Sequence, residues 1–385
     1  MAEVEIQATS RALADISIHS NDGEGETRPG RPIRGVATGK VVAKTRPLRL
    51  KGINRVPPDE NQPPPPARDG AEDRENRRPL SILDEAAAAE QLKEENALIR
   101  YRRCWERSWA PSFGSFEDET SIGPMRYTSG PIPANAFPEE TLQIFSIRVR
   151  APTDGLKWPL HVHGYVATRD TADHNRNYLF RRTRDNCQTV TQKDPFLQLT
   201  GPSRGIVYLD PITFEIELKV KGQGESEDEM LAFSVFYYGD GFHCERRISI
   251  CNPHKRCTLE YSVALRQHSV EATISIKVVD GSWPDNHRGQ VVCLTSGVKG
   301  KIVLLGSGDG ELPICSNGMI ELSRRVVSVE LGEKLMVAVD ASLSSFLARG
   351  TAAFKPENSG TSHGMIDLGT CKMQVTVAWS RFVII

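Results

Sequence analysis

The sequence predicts a mainly β protein: one large antiparallel β-sandwich domain of two related halves, preceded by a disordered arm and one α-helix. Three observations predict it. Apolar residues alternate with polar ones, with a period of two, in run after run beyond residue 142. No helix-length periodic segment interrupts those runs. The composition changes sharply near residue 79, from a Pro/Gly/Arg/Glu-rich stretch to a helical one.

Residues 1–79 read as a disordered arm that contributes nothing to the fold. Hydrophobic residues make up 39% of the chain, below the usual share, as expected if part of it never joins a core. Pro63 to Pro66 form an unbroken run that favours extended polyproline II. Residues 28–55 carry Arg28, Arg31, Arg34, Lys40, Lys44, Arg46, Arg49, Lys51 and Arg55 and no acid. That stretch is the only place where a nucleic-acid or importin contact could fall. It reads rather as a solvated tail, with acids on either side at Glu24/Glu26 and Asp59/Glu60 and no aromatic interleaved to stack on bases.

Residues 80–110 read as an amphipathic helix. Ser81 and Asp84 resemble a capping box, and Ala86 to Ala89 are strong helix formers. Leu98, Tyr101, Trp105 and Trp109 recur at three- and four-residue steps, so they share one face, which is expected to pack on the β domain. Pro111 is expected to end the helix, and residues 111–141 form a Gly/Pro-rich connector.

Residues 142–385 form the β-sandwich domain. Phe145-x-Ile147-x-Val149 alternates, as does Phe214-x-Ile216-x-Leu218-x-Val220 with Glu215, Glu217 and Lys219 on the expected wet face. So do Leu259 to Leu265, Val270 to Val278 and Met373 to Trp379. A duplication is expected, with halves at 142–256 and 257–385. Ile144 to Val149 matches Thr273 to Val278, and Trp158-Pro159 matches Trp283-Pro284. Gly164 matches Gly289, Leu197 matches Ile320, and Arg204 matches Arg325, with an offset that shrinks slowly along the chain. Structural roles are therefore expected for Trp105, Trp109, Trp158 and Trp283.

The formal net charge of -1 gives no global field to recruit nucleic acid or anionic membrane. No apolar run approaches bilayer length, the start is acidic, and no Asn-x-Ser/Thr sequon occurs. An intracellular location, cytoplasmic or nuclear and not secretory, is expected, with no membrane contact. The eight scattered cysteines fit free thiols in a reducing compartment.

With these residues in view, a resemblance emerges. Arg107-Ser-Trp109, Gly114-Ser-Phe116-Glu117-Asp118, Gly123-Pro-Met125-Arg126-Tyr127, Arg184-Asp-Asn-Cys187-Gln, Leu199-Thr-Gly-Pro202 and Asp210-Pro-Ile-Thr-Phe214-Glu resemble a grass family carrying the domain of unknown function 6598. Val270-Glu-Ala, Gly281-Ser-Trp-Pro284, Leu322-Ser-Arg-Arg325 and Cys371-Lys-Met373 extend the resemblance over about residues 100–385. Some relatives place this domain behind a ribosome-inactivating N-glycosylase, so the resemblance implies a stress or defence setting and raises rRNA depurination as the one enzymatic reading.

Depurination needs aromatics stacked on an adenine, with a Glu and an Arg aimed at one glycosidic bond. Glu106 with Arg103 and Arg107 is the only such grouping near tryptophans, and it reads as helix surface charge. No catalytic residue is assigned.

No cofactor or metal is expected either. The residues nearest to a metal set are Asp170 and Asp173, with Asn175 and Asn177, as a hard-oxygen cluster, and His161-x-His163 as two imidazoles on one strand face. Ordinary turn chemistry competes for the acids, with Arg181, Arg182 and Arg184 as expected ion-pair partners. His243-Cys244, Cys251, His254 and Cys257 offer zinc-type ligands at non-standard spacing. The sequence thus favours a non-enzymatic interaction module with a protein partner.

Overall fold

The computed structural model describes residues 82–153, 155–239, 247–306, 312–343 and 346–384. The expected arm at 1–79 and its basic stretch lie outside them, as do His243 and Cys244.

Helix α1 runs Ile82–Phe113. It passes Pro111 instead of ending there. Proline disrupts a helix chiefly by removing a donor to the preceding turn, and here Gly114 closes the last turn by donating to Ala110 O at 3.0 Å. Gly114 has φ +91°, the left-handed geometry of a helix C-terminus.

The strands are β1 (Glu139–Arg150), β2 (Leu160–Arg169), β3 (Asn177–Arg182), β4 (Gln188–Val190), β5 (Ile212–Val220), β6 (Glu229–Tyr238), β7 (Ile248–Pro253) and β8 (Thr258–Gly281). They continue as β9 (Arg288–Thr295), β10 (Ile302–Gly306), β11 (Val326–Glu330), β12 (Leu335–Leu343), β13 (Phe346–Phe354), β14 (Gly360–Asp367) and β15 (Cys371–Ser380). All pair antiparallel. One sheet has the order β3-β2-β5-β6, a second β10-β9-β12-β13, and a third β1-β8-β15-β14 with β7 and β11 also on β8.

The 24-residue β8 organises the whole domain. Its first part pairs with β1 and β7, its second with β15 and β11. Leu259, Tyr261, Val263 and Leu265 enter a first core with Phe214, Ile216 and Leu218. Val270, Ala272, Ile274 and Ile276 enter a second with Val337, Val375 and Trp379. The two cores therefore meet inside β8, in the stretch from Ala264 to Val270, and not at residue 256. The alternation hid this because one continuous strand serves both sandwiches.

The strand orders correspond. β3-β2-β5-β6 maps onto β10-β9-β12-β13, and β7-β8-β1 maps onto β14-β15-β8. Gly164 faces Leu218 as Gly289 faces Ala341. Leu197 N donates to Ile147 O, and Ile320 N to Ile276 O, both at 2.9 Å. Trp158 packs at the rim of the first core, while Trp283 is buried in the second and donates to His287 O at 3.0 Å. In the last matched pair, Arg325 is exposed, and the buried arginine is its neighbour Arg324.

Strand β1 departs from simple alternation. Its register shifts between Ile144 and Ser146, so Ile144, Ile147 and Val149 enter the first core while Phe145 enters the second. A bulge of this kind re-aims one side chain, and here it sends Phe145 across the junction.

Candidate functional site

The densest polar cluster lies between α1 and the outer face of the first sandwich. On β5 the core takes Phe214, Ile216 and Leu218, so Glu215 points outward. It is not on a wet face, because its side chain is only 1% exposed. The segment after α1 folds over it and brings the Phe116 ring and carbonyl down onto β2.

Glu215 Oε2 accepts from Arg169 Nη2 at 2.9 Å and Nε at 3.1 Å. Its Oε1 accepts from Tyr165 at 2.8 Å and from Arg176. Arg169 also donates to Phe116 O and His174 O, and its guanidinium lies 4.2 Å from the Phe116 ring centroid. Burial alone would raise the Glu215 pKa, but Arg176 and Arg169 outweigh it and hold the carboxyl below its usual range. The aromatic stripe closes the cover. Trp105, 2% exposed, donates to His174 O at 2.8 Å. Tyr101 meets Phe116 and Tyr237 edge-on, and burial pushes its hydroxyl up to about 12. Trp109 stacks on His174 with centroids 3.7 Å apart, yet its other face is open to solvent.

A second cluster adjoins the first. Arg204 donates to Asp170 at 2.7 and 2.8 Å and to Asp173 at 2.8 Å. Asp170 also accepts from the backbone N–H groups of Ala172 and Val207, and Asp173 from Asn175 N and the Thr120 hydroxyl. Glu271, buried below the loop at 122–127, accepts from Gly205 N at 2.8 Å and Met125 N at 2.9 Å. Burial raises its pKa against the pull of those two donors. A cavity of about 20 Å³ touches Arg204, Glu271, Tyr127 and Phe382, room for a single water.

The candidate metal ligands fall into this framework differently from the expectation. Asp170 and Asp173 do come together, but around Arg204, a residue whose charge takes the place a cation would have. Arg181 pairs with Glu119, Arg182 donates to Gln198 and Asn186, and Arg184 pairs with Asp228, so none of them serves the two aspartates. Asn175 donates to Phe113 O and Asn177 to Arg204 O. His163 binds Asp228 at 3.0 Å, whereas His161 meets Thr189. The two imidazoles are thus held by different partners. Asp228 precedes β6, and Arg184 and the backbone of Gly222 hold its pKa down at about 2. Cys257 is buried and donates to Leu231 O, while Cys251 is exposed on β7. Among the described residues no group of three or more His, Cys, Asp or Glu side chains is arranged to hold a metal ion.

A family model described as a domain of unknown function matches residues 141–377. The chain belongs to the DUF6598 family. The matched segment holds both sandwiches, so the DUF6598 fold is mainly β, with packed antiparallel sheets. No curated protein matches the chain. Among solved structures it is similar to human GIVD cytosolic phospholipase A2, at 8% identity and a TM-score of 0.22, covering 64% of this chain and 30% of that one. It is also similar to the C2A- and C2B-domains of extended-synaptotagmin 2, at 8% identity and a TM-score of 0.22, covering 69% and 98%. At that TM-score neither likeness carries weight. Among the described residues no helix is long and apolar enough to cross a membrane.

Sequence reasoning passed over Arg169, Arg176 and Glu271, and it set Glu215 in water. One signal was present. Each sits within or beside an apolar strand run where a charge needs a buried partner.

Proposed function

We propose that this DUF6598 protein is a non-enzymatic interaction module that binds a protein partner on the outer face of its second sandwich. The observation that carries the reading is a difference between two matching faces. Glu215 and Ala338 occupy equivalent positions, each three residues before the partner of the register glycine. Over Glu215 lies the cover formed by α1 and Phe116. Over Ala338, α1 is absent, since it packs on β6.

The face is apolar, with Val292 and Ala338 buried on its two central strands and its exposed apolar residues on the edge strands β10 and β13. Val303, Val292, Ala338 and Thr351 are cross-strand neighbours in one row, with Leu294, Met336 and Ala353 in the next. Val303 is 40% and Leu347 57% exposed. Its one central charge, Asp340, is taken up by Arg349 at 2.5 and 2.6 Å. An amphipathic partner helix, laid as α1 is laid on the first sandwich, fits such a face.

The grass-family resemblance supports an intracellular setting in stress or defence, cytoplasmic or nuclear. Any nucleic-acid contact belongs to the basic stretch from Arg28 to Arg55.

The test uses the full chain and two variants, Thr351→Glu and Leu347→Lys, each checked for an unchanged melting midpoint. A partner captured from source tissue by the parent chain and lost from both variants supports the reading. Identical capture by all three sinks it.

A further inference from the structure

Five arginines are buried among the described residues: Arg169, Arg176, Arg204, Arg266 and Arg324. Four have carboxylate partners. Arg169 and Arg176 share Glu215, Arg204 takes Asp170 and Asp173, and Arg266 takes Glu330 and Glu333. Arg324 has none. It is 2% exposed, and its Nη2 donates to the backbone carbonyl of Ile144 at 2.6 Å. Its Nε and Nη1 have no acceptor.

The position is specific. The Arg324 backbone N–H donates to Leu304 O on β10 at 3.1 Å, while Ile144 belongs to β1. The guanidinium therefore bridges the two sandwiches. Gln143, the nearest buried amide on β1, is already committed to Ile144 O and Ser328 N. Burial lowers the Arg324 pKa to about 10, which leaves it cationic at neutral pH. An uncompensated buried cation is among the least favourable groups a fold can hold, and buried charges are as a rule paired.

We infer that Arg324 holds a small monovalent inorganic anion, of the halide class, at the junction of the two sandwiches. One negative charge neutralises one guanidinium, whereas a dianion would leave a buried excess. The free N–H donors at Nε and Nη1 supply the hydrogen bonds such an ion needs in place of water.

The experiment is a melt of the full chain in sodium gluconate at fixed ionic strength, with chloride or bromide exchanged for gluconate. A ligand bound only by the folded state stabilises it by mass action. Each tenfold rise in halide above the dissociation constant then adds about 1.4 kcal/mol, a shift of a few degrees. The parent chain should show that slope, and Arg324→Met should be flat. A midpoint independent of halide in the parent chain overturns the inference and leaves water on the donors. Equal slopes in parent and variant overturn it as well, because the salt then acts elsewhere. If Arg324→Met does not fold, bromide-soaked crystals of the parent chain decide the matter. An anomalous peak within hydrogen-bonding reach of Arg324 Nε or Nη1 supports the site, and peaks confined to the surface overturn it.

Discussion

Glu215 and Arg169 meet at 2.9 Å on the outer face of the first sandwich, beneath a helix that precedes both of them in sequence. The pair ties α1 to the β domain, because Arg169 also holds the carbonyls of Phe116 and His174.

Glu215→Ala should therefore destabilise the chain by about 3–5 kcal/mol, since it strands two buried guanidinium groups. Glu215→Gln keeps the shape and should lose less. Urea melts of both variants measure the difference. A Glu215→Ala midpoint equal to that of the parent chain would mean this face is wet after all.

How much of this was legible depends on what each residue answers to. The alternations on β5, β8 and β15 were readable because one face of each strand enters a core made by its neighbours. Glu215 was not, because its burial is set by α1 and Phe116, which no local period reports. Phe145 was misassigned to the face of Ile147 because a bulge leaves no mark in a hydrophobic pattern. Asp170 and Asp173 were recognised as a cluster, but their partner Arg204 is remote in sequence, so the cluster resembled a metal site.

Trp105→Ala should cost about 3–5 kcal/mol, as expected for a large side chain lost from a closed site. Trp109→Ala should remove only the His174 stack, about 0.5–1.5 kcal/mol. Chemical denaturation ranks the two. Iodide quenching adds an independent check, because Trp109 should be accessible and Trp105 protected.

The shared strand makes a prediction about fragments. A fragment spanning residues 76–256 lacks Leu259, Tyr261, Val263 and Leu265, which belong to the first core. It should not melt cooperatively, whereas 76–268 should. Calorimetry on the two fragments tests this, and a cooperative transition in the shorter one would restore the boundary at 256. The matched strand orders are those a duplication produces, and we propose that origin for the two halves.

His254, in the turn before β8, is kept neutral by burial, with its pKa lowered from 6.5 to about 4. The unfolded chain binds that proton more readily than the folded one, so the sign is fixed. Stability contributed by neutral His254 is fully present above pH 6.5 and is lost as pH falls toward 4. His254→Gln should flatten this part of the stability curve. Parallel curves for the two proteins would place the titrating group elsewhere.

Depurination of ribosomes is the sharpest test of the non-enzymatic reading. The reaction needs an aromatic free to stack on adenine and an acid and arginine free to face the glycosidic bond. Trp105 is closed off against Phe116 and His174, and Glu106 beside it is an exposed partner of Arg102 at 2.8 Å. Glu215, the one acid among the described residues held between arginines under aromatics, has both oxygens engaged. The purified chain should leave the ribosomal RNA intact in an aniline-cleavage assay run beside a known toxin. Release of the diagnostic fragment, abolished by changing a single Glu or Arg, would overturn the reading and direct attention to whichever acid the loss identifies.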